Sequence, residues 1–159
     1  MRKPKLYIET SAWNFYFADD APEKRDATQV FFELVFKKNY DVFISEVVIK
    51  EVFAAPEKRR SEISELISRC EPVELHVSQD VRDLADRYIE KKIVPEKKYE
   101  DSLHVAVASV EELDAVVTWN FRHMANLRRA ELFHSVNVEC GYYKKLELVT
   151  PLEVMYDED

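Results

Sequence analysis

The stretch EDSLHVAVASVEELDAVVTWNFRHM, Glu100 to Met124, constrains the fold more than any other part of the chain. Its first half carries Leu103, Val105, Ala106, Val107, Ala108 and Val110, which together cover nearly every side of a helix. A helix apolar all round belongs in a core, packed between a sheet and other elements. The second half, Ala115 to Thr118, is a β-branched run of strand type. Asp101 stands at the start of this buried helix, where an isolated carboxylate is costly unless it is paired or bound to metal. The strand ends in Thr118-Trp119-Asn120, so polar groups arrive at its C-terminal edge. In open α/β sheets that edge is where ligands bind.

The rest of the chain alternates in the same way. Lys5 to Ile8 reads as a strand, followed at once by a turn or cap at Glu9-Thr10-Ser11. Asp26 to Lys38 is helical, with Val30, Phe31, Leu34 and Val35 at helix spacing. Asp41 to Ile44 is a second strand, and Ser45 is an N-cap for a helix carrying Val47, Val48, Glu51 and Val52. Pro56 breaks that helix, Glu57 to Cys70 forms another, and Pro72 to His76 supplies a third strand. Ser78 to Val94 is the clearest amphipathic helix, its stripe made by Val81, Leu84, Ala85, Tyr88 and Ile89, with Pro95 after its end. Beyond the central segment come a helix from Asn126 to a stop at Gly141 and a last strand from Glu147 to Val149. A turn at Pro151 and an acidic tail at Asp157 to Asp159 complete the chain. Strands alternating with helices imply a parallel sheet with helices on both faces, because parallel strands need crossover connections.

At 159 residues with 47% hydrophobic content, one domain spanning 1–159 with a single core is expected. The single glycine, Gly141, excludes a Walker A or dinucleotide-binding loop. A net charge of −8 argues against broad binding to nucleic acid through a basic surface. It leaves room for a nuclease whose carboxylates hold divalent cations. Cys70 and Cys140 show neither metal spacing nor a disulfide framework and read as two buried thiols in a reducing compartment. The N-terminus MRKPKLYIETS lacks the apolar region of a signal peptide, and no run is long enough for a membrane span. A cytoplasmic domain with no membrane partner follows.

Three carboxylates hold comparable places in the alternation. Glu9 follows the first strand, Glu51 lies in the helix after the second, and Asp101 opens the helix before the fourth, which Asn120 follows. Hard divalent cations take oxygen ligands, and Mg²⁺ is commonly held by one or two carboxylates plus waters and a substrate phosphate. Such sites serve phosphodiester hydrolysis, with one metal or with two about 4 Å apart. The chemistry therefore wants acids from distant sequence positions. Spacing alone is a weak guide in a chain with 31 acids.

The residues LYIETS at Leu6 to Ser11, ISEVVIKEV at Ile44 to Val52, DSLHVAVA at Asp101 to Ala108 and DAVVTWNFRHM at Asp114 to Met124 resemble the PIN-domain ribonucleases. That family includes the toxins of VapBC toxin–antitoxin pairs. The segment from Val136 to Val154 looks like the tail of one bacterial and archaeal branch. The resemblance implies a three-layer α/β/α sandwich and cleavage of single-stranded RNA with Mg²⁺ or Mn²⁺. It implies catalytic positions at Glu9, Glu51, Asp101 and Asn120, the three acids being the metal ligands. The family's first acid is usually Asp, and here it is Glu9; Asn120 stands where a fourth acid is common, so its carbonyl would have to coordinate metal or orient water. The partners implied are an RNA substrate, an antitoxin protein and a second copy of the chain.

Around these positions Thr10, Ser11, His104, Thr118 and Arg122 are candidates for supporting the acids or meeting substrate, with Arg128 and Arg129 as further contacts to phosphates. His104 packs or hydrogen-bonds near the site, since hard cations prefer oxygen. His123 reads equally as a phosphate contact or a surface turn, and His76 and His134 carry no signal. Asp114 precedes the strand that Asn120 follows, about 13 Å or more from that edge at roughly 3.3 Å per residue, and is left out. The aromatic run Trp13, Phe15, Tyr16 and Phe17 suits a core, a subunit interface or base stacking. With the phenylalanines of the next helix it suggests more apolar surface than one small domain covers, hence a homodimer through this region. The rival readings are a catalytically weak or inactive PIN-like module that binds RNA, and one that acts through protein contacts.

Overall fold

Leu6, Tyr7 and Ile8 are almost wholly buried, as a continuous apolar run requires of the central strand of a parallel sheet. The computed structural model describes residues 2–156, so the acidic tail at Asp157 to Asp159 lies outside the described residues. Five strands form the sheet: β1 (Lys5–Ile8), β2 (Asp41–Ser45), β3 (Val73–Leu75), β4 (Ala115–Val117) and β5 (Glu147–Val149). Their order is β3-β2-β1-β4-β5, and every pairing is parallel. The chain builds outward from β1 through β2 to β3, then returns across β1 to lay down β4 and β5.

Crossovers between parallel strands are right-handed, so this reversal sends the helices to opposite faces. Helices α1 (Thr10–Phe15), α2 (Pro22–Phe36) and α4 (Glu57–Cys70) pack together on one side with α8 (Pro151–Tyr156), and α3 (Glu46–Phe53) packs on α4. On the other side α5 (Gln79–Glu90) packs against α6 (Tyr99–Val110) and α7 (Leu127–Glu139). This is the expected α/β/α sandwich. Its topological switch point lies between β1 and β4, where such sheets open a crevice. Helix α6 is the buried helix read from the sequence: Ser102 and every residue from His104 to Ser109 are buried.

Several boundaries differ from the sequence reading. Glu9-Thr10-Ser11 begins the short helix α1, and Pro151 starts α8 instead of a turn. Helix α2 begins at Pro22, four residues early, because proline suits the first turn of a helix. Helix α5 stops at Glu90, short of Val94, as Lys92 turns left-handed at φ 60° and buries Ile93 and Val94. Cys70 is buried, but Cys140 is exposed just beyond α7.

The scarcity of glycine shows at the helix ends. Lys38, Lys92 and Glu112 take positive φ (64°, 60° and 55°) where a glycine is usual, and only Gly141 (φ 91°) is the favoured residue. In each case the next amide closes the last turn, for example Ile93 N to Tyr88 O at 3.0 Å and Tyr142 N to Asn137 O at 2.8 Å.

The aromatic surplus expected at the N-terminus is absent. Trp13, Phe31 and Phe32 are fully buried, and the Trp13 and Phe32 rings pack 5.0 Å apart. Phe15, Tyr16 and Phe17 are half-buried. The run folds into its own core because α1 is short and turns directly under α2. Among the described residues no helix is long and apolar enough to cross a membrane.

Candidate active site

Glu9 occupies the N-cap position of α1 as β1 ends, without a side-chain capping bond, and its backbone N–H still donates to Val117 O of β4 at 3.1 Å. Its side chain is therefore anchored at the switch point, buried to 5% exposure. One carboxylate oxygen, Oε1, accepts from Ser11 Oγ at 2.5 Å and Thr118 Oγ1 at 2.6 Å. The other, Oε2, lies 4.0 Å from His104 Nε2. Ser11 Oγ and Thr118 Oγ1 in turn accept from the backbone N–H groups of Trp119 and Asn120, each at 2.9 Å. Two hydroxyls thus lock a buried carboxylate to the loop after β4.

Glu51, in the last turn of α3, is held in the same manner. Its Oε1 accepts from Thr10 Oγ1 at 2.6 Å and from His104 Nε2 at 2.7 Å. A carboxylate at this distance selects the imidazole form with hydrogen on Nε2. Behind it, His104 Nδ1 lies 2.6 Å from the Tyr7 hydroxyl, which lies 2.8 Å from Ser45 Oγ. Ser45 Oγ also accepts from Val47 N, the cap expected from the sequence. Burial opposes a charge on His104, but the bond to Glu51 and the nearby Glu9, Glu51 and Asp101 raise its pKa overall. Burial also raises the Glu51 carboxyl, and the bond and charge of His104 overcome this to leave it below its ordinary value. The Tyr7 hydroxyl is pushed well up by burial, so it remains a neutral hydrogen-bonding group.

Asp101 stands in the first turn of α6, half-buried, with Oδ2 accepting from Asn120 Nδ2 at 3.2 Å. Burial, together with the charge of Glu9, raises its carboxyl to about 6. The Asn120 carbonyl oxygen accepts from His123 N at 2.9 Å. Asn120 therefore spends its amide on holding Asp101 and shaping its own loop, in contrast to the expected free carbonyl.

Glu9, Glu51 and His104 each offer an atom within 4.8 Å of the others; Asp101 falls outside that group but close enough for its carboxylate to feel the charges of all three. The imidazole N–H already points at Glu51, so His104 orients the site, and the oxygens of Glu9, Glu51 and Asp101 form its acidic face. That donor set fits a hard divalent cation. In both glutamates Oε1 carries the hydrogen bonds, which leaves Oε2 as the oxygen available to a cation.

Two clefts flank the acids. One of about 690 Å³ runs from Glu9 and Glu51 to Lys58 and Arg59; the other, about 320 Å³, joins Glu51 and Asp101 to Lys50, Lys97 and Lys98. Of the cations singled out in the sequence, Arg122 and Arg128 are exposed, whereas Arg129 donates to Ile93 O. His123 is buried in the loop, and its pKa is lowered by burial and by the charges of Arg122, Arg129, Lys98 and Lys97. Asp114 is bound by Arg2 at 2.8 Å, Lys144 at 2.9 Å and Lys5 N at 2.7 Å before β4, away from the acids. The lysines of the clefts carry no mark of the site in the sequence, and Ser45 is legible there only as a helix cap. Tyr7 is marked only as a tyrosine inside an otherwise aliphatic central strand.

A family model described as PIN domain matches residues 6–147. Among solved structures, a chain of the VapBC2 complex of Rickettsia felis bound to a promoter DNA fragment is similar, with a TM-score of 0.56 and 18% identity over 92% of this chain and 98% of that one. VapC20 of Mycobacterium tuberculosis, a toxin that cleaves the sarcin-ricin loop, is similar with a TM-score of 0.50 and 14% identity over 74% and 92%. Among curated proteins, none matches the chain.

Proposed function

The chain belongs to the PIN domain family, and from that premise we propose that it is a metal-dependent endoribonuclease that hydrolyses single-stranded RNA, as a toxin of a toxin–antitoxin pair or an RNA-processing enzyme. The observation that carries this reading is the convergence of the Glu9 and Glu51 carboxylates on His104 at the C-terminal edge of the sheet, within reach of the charge of Asp101. Glu9, Glu51 and Asp101 would hold Mg²⁺ or Mn²⁺. Such an ion lowers the pKa of water and neutralises phosphate charge.

The protein's own groups prepare that event. Thr10, Ser11, Thr118 and His104 fix the two glutamates, so little reorganisation is needed when substrate arrives. Asn120 orients Asp101. Lys58, Lys97 and Lys98 at the cleft walls would meet backbone phosphates, with Arg122 a further contact. The same proposal takes residues 1–159 as one cytoplasmic PIN-like domain whose partners are RNA, an antitoxin protein and a second copy of the chain. Phe53 and Leu127, 63% and 78% exposed, would offer a protein partner more open apolar surface than the half-buried Phe15, Tyr16 and Phe17.

One observation favours a second reading, a weak or inactive RNA-binding module: Asn120 supplies an amide where a fourth acid would add charge. Cleavage of a mixed single-stranded RNA pool across a Mg²⁺ and Mn²⁺ titration separates the two. The enzyme reading expects millimolar metal to be needed, Asp101→Asn to be inactive but folded, and Asn120→Asp to need less metal. RNA bound without cleavage at any metal level refutes it, as does equal cleavage by wild type and Asp101→Asn.

A further inference from the structure

The residue after Asn120 is a large apolar side chain pointed at water: Phe121 is 48% exposed. It belongs to an aromatic group. Its ring meets the Trp119 indole edge-on at 6.1 Å, and Phe15 approaches the same indole at 6.0 Å. Trp119 itself is 6% exposed and locked by its Nε1–H donating to Thr28 Oγ1 at 2.9 Å. The Lys24 ammonium stands over all three rings, 5.3 Å from Phe15, 5.6 Å from Trp119 and 5.4 Å from Phe121. Among the described residues no carboxylate pairs with it.

The loop presenting Phe121 is tied by its own hydrogen bonds. Asn120 O accepts from the amides of Met124 and Ala125 at 3.2 and 2.8 Å, and Asn126 Nδ2 donates to Phe121 O at 2.5 Å. The same Asn120 touches Asp101. An exposed ring is thus carried on a hydrogen-bonded loop one residue from Asn120, which touches Asp101, with, at its side, a cation that no described carboxylate pairs. A flat π-face and a positive charge are the two groups that an unpaired nucleotide recognises, the first for its base and the second for its phosphate.

We propose that Phe121, with Lys24 beside it, is the stacking platform for the unpaired nucleobase that flanks the phosphodiester cleaved at the site of Glu9, Glu51 and Asp101. The inference rests on the nuclease reading and adds to it the reason the substrate is single-stranded: a paired base has no free face to lay on the ring. Because every base has a π-face, the platform tolerates any sequence and binds purines more tightly through their larger overlap.

The test is binding of a short single-stranded RNA, and of an abasic strand with the same number of phosphates, to the Asp101→Asn protein. Phe121→Ala added to that background is expected to weaken the RNA about tenfold and leave the abasic strand unchanged, the size of one lost base stack. Phe121→Leu, which keeps apolar bulk, should behave like Phe121→Ala. Lys24→Met should weaken both strands and flatten the salt dependence by about one phosphate contact. RNA binding unchanged in both Phe121 variants overturns the platform, leaves the nuclease reading intact and assigns the patch to a protein partner. Failure of the parent to bind any strand, with wild type failing to cleave RNA, overturns both.

Discussion

Tyr7→Phe removes a single oxygen from the centre of the sheet and leaves its packing in place. The ring is fully buried, so no water can substitute for the lost hydroxyl. That hydroxyl is the partner of His104 Nδ1 at 2.6 Å and of Ser45 Oγ at 2.8 Å. Ser45 Oγ keeps the bond it accepts from Val47 N, but its own O–H loses its acceptor. His104 Nδ1 keeps nothing: its other nitrogen is committed to Glu51, and the ring has no exposure to solvent. An orphaned buried group is worth about 1–3 kcal/mol, so Tyr7→Phe should destabilise by about 2 kcal/mol. At roughly 2–4 °C per kcal/mol for a chain of this size, the melting temperature should fall by about 4–8 °C.

Urea unfolding followed by circular dichroism measures the loss, and His104→Leu, alone and combined with Tyr7→Phe, isolates the pair. With the imidazole gone the hydroxyl has less to satisfy, so the double variant should lose less than the sum of the singles, by about 0.5–3 kcal/mol. Glu51 would keep its bond from Thr10, so the fold at α3 should persist while the orientation of its carboxylate loosens. Tyr7→Phe within about 0.5 kcal/mol of wild type, or strictly additive variants, would refute a bonded chain from Ser45 through Tyr7 and His104 to Glu51.

The remaining predictions concern metal, pH and the helix ends. Asp101 has a carboxyl raised from an ordinary 3.8 to about 6, so its protonated form stabilises the native state at low pH, and that contribution is lost as pH rises through 6. A cation needs the ionised carboxylate, so the rise in melting temperature produced by millimolar Mn²⁺ should be small at pH 5 and full at pH 7.5; scanning calorimetry at both values checks this, and an equal rise at the two would place the metal away from Asp101. Lys92→Gly should stabilise by about 0.5–1 kcal/mol, because Lys92 holds a left-handed φ of 60° at the end of α5; urea unfolding showing a loss would mean that its side chain matters more than its backbone.

Local chemistry was enough for much of this protein. The alternation of apolar runs specifies a parallel sheet clothed by helices, since short β-branched segments separated by helical periods have few other ways to bury both faces. Ser45, Ser78 and Asn126 mark helix starts because their side chains accept from amides two or three residues on, a purely local bond. The acids Glu9, Glu51 and Asp101 were legible as candidates from their places after strands and at a buried helix start, and through family resemblance. What the sequence could not reveal is the set of contacts spanning 38 to 109 positions: Tyr7 to Ser45, Thr10 to Glu51, His104 to Tyr7 and Glu51, Thr118 to Glu9. Those bonds exist because β1 lies between β2 and β4, which brings three crossovers to one edge. The same closure drew Trp13, Phe31 and Phe32 inward and left Phe121 outside, a choice that depends on which surfaces the packed helices cover and not on the hydrophobicity of the rings.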